Sequence, residues 1–369
     1  MAVHYSAPGK LFVSGEWAIL EMGTRGMVAA VNKRVHAKIE SANKGIIVSI
    51  KDFSLHNLFS EFDGHNLIFE KKEHEKELQF IKESIETALR FLSEKRTEVR
   101  PFSITTWGED TTVLIEGQRK KVGFGSSAAA TVAVVAAVLD YHGYHAKEEE
   151  IYKLATIAHY FVQGKVGSAF DVAASTYGGL FVYSRFDPDW LTKKMETGEK
   201  IESIIKENWP GFLVEELAVP DTFRLLIGWT REEAATSPMI KQMNEFKKNN
   251  TDKYDRAIRS VSACAHNAIQ AWNERDYERF VIELQNNASA LSALGKVSGV
   301  NIETPDLAKL SELANSCGAA GKLSGAGGGD CGIAVCFDDE TSKNVERLWR
   351  DAGFYLVDAT IDREGVRKE

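Results

Sequence analysis

The chain has 369 residues, 44% of them apolar and 27% charged, with a formal net charge of −8. That length suggests two domains, or one large one, with room for an ample apolar core. The acidic balance excludes a general nucleic-acid binder, since no overall positive field draws phosphate backbones, and no apolar run approaches the length of a membrane-crossing helix.

The N-terminus, Met1-Ala2-Val3-His4-Tyr5, lacks the basic-then-apolar order of a signal peptide. The four cysteines form no Cys-x-x-Cys pair and are too few to staple so large a chain, so they read as reduced thiols in a cytoplasmic protein. An anionic small-molecule partner remains compatible with this composition, provided that local cations and backbone amides build its site.

In chain order, Pro8-Gly9-Lys10 reads as a turn and a lysine before an apolar strand that Gly15-Glu16 breaks. Lys10 there is either solvated or held over a site. Residues 28–40 alternate as a strand, and 44–70 read as short strands and turns. Leu78, Ile81, Ile85, Ala88, Leu89 and Leu92 recur at spacings of three and four, which predicts an amphipathic helix. A strand over 101–107 and the cations Arg119-Lys120-Lys121 lead into Gly123-Phe124-Gly125-Ser126-Ser127-Ala128, which opens a helix over 126–142. Glycines admit close backbone approach, and the bare amides and dipole of a helix start favour an anion such as phosphate. The alternative is an ordinary Ser-capped helix.

A second helix begins near Glu148 and stops at Gly164. His142 and His145 lie near the intervening turn and read as surface histidines rather than metal ligands. Asp171 follows Gly167-Ser168 at the start of a short helix, where it either caps that helix or faces a cavity as a catalytic carboxylate. Residues 180–184 form a strand, and a domain boundary is expected after Trp190, dividing the chain into 1–190 and 191–369. The second half alternates strand and helix: a strand over 223–229, long helices through 252–273 and 276–297, and another from Pro305. Residues 321–332 then hold a second glycine cluster, dense enough that its ordering implies close approach to something. A final helix over 341–352 and strand over 354–359 close the half. No internal repeat is visible.

The common nucleotide signatures are missing. There is no Gly-x4-Gly-Lys-Ser/Thr, no third glycine of a dinucleotide fingerprint, no protein-kinase His-Arg-Asp and no Gly-x-Ser-x-Gly elbow. The parts that remain are those phosphoryl transfer needs: amides and a cation for phosphates, oxygen ligands for Mg²⁺, and a group near the attacking oxygen.

Pro8-Gly9-Lys10-Leu11 with Gly15-Glu16, Gly123 to Ala129, and Lys322 to Asp330 resemble, in this order, the three motifs of the GHMP small-molecule kinases. Within that superfamily, residues 163–173, 183–188, 228–237 and 328–334 resemble the phosphomevalonate kinases. The resemblance implies an α+β fold of two domains, the first similar to ribosomal protein S5 domain 2 and the second ferredoxin-like, with the site between them. It implies ATP and Mg²⁺ as cofactors and 5-phosphomevalonate as acceptor, with 5-diphosphomevalonate and ADP as products. Gly123, Phe124, Gly125, Ser126, Ser127 and Ala128 would hold the ATP phosphates, with Ser126 or Ser127 near the metal. Lys10 and Asp171 would be the catalytic pair. Lys165, Ser168, Thr236, Ser237, Gly325, Ala326 and Gly327 would meet the substrate, with the 325–330 loop closing over the site. A phosphate monoester is already largely ionised near neutral pH, its second pKa being about 6. Asp171 is therefore expected to hold metal or position Lys10 more than to remove a proton. Mevalonate kinase and a related ATP-dependent decarboxylase are the alternatives within the superfamily; a non-catalytic ATP-binding sensor is the alternative outside enzymes.

Overall fold

The computed structural model describes residues 2–70, 73–109, 112–115, 118–232 and 236–369, with 112–115 and 118–121 as backbone. The side chains of the Arg119-Lys120-Lys121 run lie outside the described residues.

The chain starts with β1 (Ala2–Ser14), which pairs antiparallel with the long β2 (Gly26–Ser41). The Pro8-Gly9 step is not a turn. The strand runs through it, and the register shifts by a bulge between Ala7 and Gly9. A bulge accommodates a proline that cannot donate to the ladder. β3 (Ile46–Ile50), β4 (Leu55–Phe62) and β5 (Leu67–Phe69) extend the sheet, and α1 (Glu75–Glu94) packs its apolar stripe beneath it before β6 (Phe102–Gly108) inserts between β2 and β3. A hairpin of β7 (Thr112–Ile115) and β8 (Gln118–Lys121) precedes the glycine loop.

Helix α2 (Ser126–Tyr141) is almost wholly apolar and buried nearly all round, as a helix without a polar face must be. It is flanked by α3 (Glu148–Val162) and the short α4 (Phe170–Tyr177). β9 (Leu180–Ser184) pairs with β2, then α5 (Pro188–Glu196) and α6 (Ile201–Lys206) lead to β10 (Leu213–Leu217), which pairs with β9. The first sheet thus reaches beyond the boundary expected at 190: its last strand on this side ends at Leu217, because the charged 191–212 connection folds back onto α1 and α3 instead of leaving the layer.

The second layer is a four-stranded antiparallel sheet, with β11 (Arg224–Trp229) in its interior. After it come α7 (Thr236–Asn249), the long pair α8 (Thr251–Asn273) and α9 (Tyr277–Ser298), and α10 (Pro305–Ser316). β12 (Ala320–Leu323), β13 (Cys331–Cys336), α11 (Asp339–Asp351) and β14 (Tyr355–Leu356) complete it; the expected 354–359 strand is only two residues long. The C-terminal residues return to the first sheet, where β15 (Arg367–Lys368) pairs with β1 and buried Arg34 holds Asp362 and the Gly365 carbonyl.

The two layers share a core. Leu11, Val13 and Val182 of the first sheet pack in one apolar cluster with Ile227 and Ile333 of the second and with Trp272 of α8. Burial of this kind contributes about 25 cal/mol per Å² and fixes how the cleft walls face each other. Of the two histidines read as surface residues, only His145 is exposed, beside Asp140. His142 is buried: its Nδ1 bonds the Val138 carbonyl and its Nε2 accepts the Arg100 N–H. The four cysteines are all free. Among the described residues no helix is long and apolar enough to cross a membrane.

Candidate active site

One cleft of about 310 Å³ lies where the two layers meet. Its floor is made by helix starts. Gly125, at φ 74°, turns the chain into α2; no side chain caps that helix, and its first backbone bond is from Ala129 N–H to the Gly125 carbonyl. The amides of the first turn are left facing the cleft that Gly125 and Ser127 line. Helix α4 starts in the same way from Ala169 at φ 59°, again without a side-chain cap. Asp171 is therefore not the cap of α4. It stands in the first turn and lines the cleft, its Oδ1 accepting the N–H of Val172 at 3.0 Å. Two uncapped helix starts in one cleft give it a positive lining that no side chain supplies.

Lys10 projects from β1 into this lining. Its Nζ donates to the Gly123 carbonyl at 2.7 Å and stands 5.8 Å from the Phe170 ring centre. Its backbone N–H is held by the Phe124 carbonyl at 2.9 Å. Gly125 must lack a side chain here, since a β-carbon would come within 2.9 Å of the Lys10 side chain. Ser127 Oγ lies 3.1 Å from Nε2 of His159, which is fully buried on α3. Burial pushes the His159 pKa down, with the Asp171 charge opposing it, so the ring is held toward the neutral form. Ser168 is buried with its Oγ unpartnered among the described residues, and it lines the cleft.

The remaining expected residues divide. Gly123, Thr236, Ser237, Gly325, Ala326 and Gly327 also line the cleft. Ser126 does not, which leaves Ser127 as the serine of the pair that faces it. The side chains of Phe124 and Ala128 point away into the core, as the apolar face of a strand end and of α2 requires. Lys165 is not brought in either: from a left-handed turn at φ 63° its side chain runs along Phe161 to pair with Glu196 at 2.8 Å.

The second glycine cluster is tied rather than draped. Ser324 Oγ accepts the Phe12 N–H and donates to the Phe12 carbonyl, both at 2.9 Å, and Trp17 Nε1 donates to the Ala326 carbonyl. Gly328 N–H bonds the Ile302 carbonyl, and a β-carbon on Gly327 would come 1.9 Å from that same oxygen. Lys322 and Glu16 form an ion pair with both side chains buried, and the second carboxylate oxygen of Glu16 has no partner among the described residues. Burial pushes the Lys322 pKa down while Glu16 opposes the shift. These bonds fasten the loop along β1 and to Ile302 at the edge of the cleft.

Sequence reasoning assigned no role to Glu16, His159 or Lys322. An acid and a lysine set in apolar surroundings, and a histidine beside the apolar face of α3, were the signals available.

The comparisons bear on the whole chain. The family model described as the GHMP kinases N terminal domain matches residues 81–179, and that described as GHMP kinases C terminal matches residues 268–354. A phosphomevalonate kinase of Streptomyces sp. (strain CL190) is 29% identical over 371 residues, covering 98% of this chain and 97% of the relative. The crystal structure of a Lin0012 protein from Listeria innocua superposes with a TM-score of 0.91 at 31% identity, covering 100% of this chain and 99% of that one. Streptococcus pneumoniae phosphomevalonate kinase, solved in complex with phosphomevalonate and AMPPNP, superposes with a TM-score of 0.81 at 27% identity, covering 98% of this chain and 100% of that one. With its three motifs meeting in one cleft and likeness extending over its full length, the chain belongs to the GHMP kinases.

Proposed function

We propose that the chain transfers the γ-phosphoryl group of ATP to the phosphate of 5-phosphomevalonate, giving 5-diphosphomevalonate and ADP. The observation that carries this reading is a lysine ammonium set between two uncapped helix starts, in a chain similar end to end to phosphomevalonate kinases. In the transfer, an oxygen of the acceptor phosphate forms a bond to the γ-phosphorus. The bond from that phosphorus to the ADP oxygen breaks, its electron pair leaving with ADP. Donor and acceptor are both anions, so bringing them together needs fixed positive charge. The α2 start, over Gly125 to Ala128, would seat the donor phosphates, and Lys10 would offset the charge between donor and acceptor. Ser168, Thr236 and Ser237 would hold the acceptor with the backbone of Gly325 to Gly327.

Mg²⁺ favours oxygen ligands, keeps several waters and needs only one or two groups from the protein beside the substrate phosphates. The Ser127 hydroxyl and the Asp171 carboxylate, both lining the cleft, fit that demand, although no three-residue metal cluster is found among the described residues. When bound, the ion would neutralise phosphate charge. Asp171 has little to do as a base, because the acceptor is already ionised near neutral pH. The free cysteines support a reducing, cytoplasmic setting.

The test is ADP release measured in parallel with mevalonate, 5-phosphomevalonate and 5-diphosphomevalonate, with CO₂ monitored. Turnover with 5-phosphomevalonate alone is expected. Turnover with mevalonate alone overturns the choice of acceptor, and CO₂ release moves the protein to the decarboxylases.

A further inference from the structure

Residues 327–330 share left-handed backbone geometry, with φ of 78°, 78°, 122° and 65°, but the fourth is an aspartate among glycines. A β-carbon in that region crowds the carbonyl oxygen, which is why glycine is the undemanding choice there. The side chain of Asp330 has a definite destination. Its Oδ1 accepts the N–H of Gly123 at 3.1 Å, across the cleft from its own loop. The carboxylate lies so close over Gly123 that a β-carbon on that glycine would come 1.5 Å from Oδ2. The other peptide group of Gly123 offers its carbonyl to Lys10 Nζ at 2.7 Å.

Asp330 is itself pinned from behind. Its carbonyl accepts both the N–H and the hydroxyl of Thr230, each at 3.0 Å, and its N–H bonds the Glu232 carbonyl at 2.9 Å. A relay therefore runs from the second layer through Asp330 and Gly123 to Lys10. Without it, the Val122–Gly123 peptide loses its tie to the second layer, and the peptide whose carbonyl aims Lys10 is left with the local bond from Phe124 N–H to the Val122 carbonyl at 2.8 Å.

We propose that Asp330 is a positioning residue: by accepting the Gly123 N–H it fixes the carbonyl that holds the Lys10 ammonium at the start of α2. This rests on the reading of Lys10 as the group that offsets charge in phosphoryl transfer. Misplacement of such a group by about 1 Å costs on the order of a hundredfold in rate.

The test compares Asp330→Gly and Asp330→Asn. Glycine removes the acceptor but suits the left-handed backbone, so the melting temperature should not fall by more than about 3 °C. Its kcat should fall about tenfold or more, with KM for ATP changed less than about threefold. Asparagine keeps an acceptor oxygen and tolerates the same backbone, so it should restore kcat to within about threefold of the starting protein. The proposal is overturned if Asp330→Gly keeps its kcat, if its kcat and melting temperature fall together as for a merely structural residue, or if asparagine fails as glycine does. Rates are read with whichever acceptor the unmodified protein turns over. Inactivity of the unmodified protein on 5-phosphomevalonate counts against the acceptor reading alone, and the relay is then read from the same variants on the other acceptors.

Discussion

Two glycine-rich loops border the same cleft and use their backbones in opposite ways. At 123–128 the chain enters α2 without a side-chain cap, so the amides of the first turn face the cleft. At 324–330 the backbone is bonded to the protein itself: Ser324 N–H to the Cys331 carbonyl, Gly328 N–H to Ile302 and Asp330 N–H to Glu232. Glycine permits close approach in both places, but what approaches differs. In the first loop it would be a ligand; in the second, at Ser324, Gly328 and Asp330, it is the chain's own backbone, which makes a clasp between two layers on either side of the cleft-lining Gly325 to Gly327.

The clasp is broken most severely at its buried charge. Lys322→Met strands the Glu16 carboxylate in a site where both side chains are essentially inaccessible. A loss of about 3–5 kcal/mol of unfolding free energy is expected, since a buried charge without its partner is costly. The double variant Glu16→Gln with Lys322→Met should recover much of that loss. Urea unfolding of the single and double variants measures the difference, and additive effects would show that the pair is not what fastens the loop.

The anion seat is probed at Lys10. Lys10→Met should lower kcat by roughly 10² to 10³, or about 3–4 kcal/mol, the usual cost of removing one electrostatic group at a transferring centre. Far-ultraviolet circular dichroism should be unchanged, because the backbone bond from Lys10 N–H to Phe124 survives. Initial rates at saturating ATP and acceptor read the effect; an undiminished kcat would remove Lys10 from the mechanism.

How far each loop was legible in the sequence follows from the range of its interactions. The 123–128 loop is local: glycines, hydroxyls and an apolar run within twenty residues specify a strand end, a turn and a helix start, and the structure has them there. The helices at 75–94, 251–273 and 277–298 were legible for the same reason, as apolar stripes at helical spacing. Pro8-Gly9 misled because that pair signals a turn locally, while the neighbouring strand β2 holds it in a bulged strand. The 324–330 clasp was legible only as a dense set of glycines. Its partners, Phe12, Glu16 and Ile302, are distant in sequence, with 306 residues separating Glu16 from Lys322. Lys165 shows the converse: a cation beside a motif is expected at the site, whereas its turn places it against Glu196.

Within the second loop, adjacent positions should differ. Gly327→Ala drives a β-carbon against the Ile302 carbonyl at a φ of 78°, whereas Gly325→Ala at φ 90° meets nothing within 4 Å. The first should cost about 2–3 kcal/mol and the second about 1 kcal/mol, the strain of a left-handed alanine alone. Thermal melts of the two variants rank them. Equal losses would mean that the loop yields at Gly327 and is not clasped.

The smallest expected effect distinguishes the loops by sign. His159 supports the first loop through Ser127, and burial lowers its pKa from 6.5 in the folded state. The unfolded chain then binds the proton more readily, so the stability this residue contributes is present above about pH 6.5 and is lost as pH falls below it. Asp330 in the second loop is shifted the other way: burial raises its pKa above 3.8, with Lys10 opposing. The folded state then binds the proton more readily, and the contribution of Asp330 is present below about pH 3.8 and lost as pH rises through the raised value. Unfolding free energies of His159→Gln and Asp330→Asn, each subtracted from the unmodified protein across pH 4 to 8, should therefore slope in opposite directions. Parallel slopes would show that burial does not shift the two titrating groups in opposite directions.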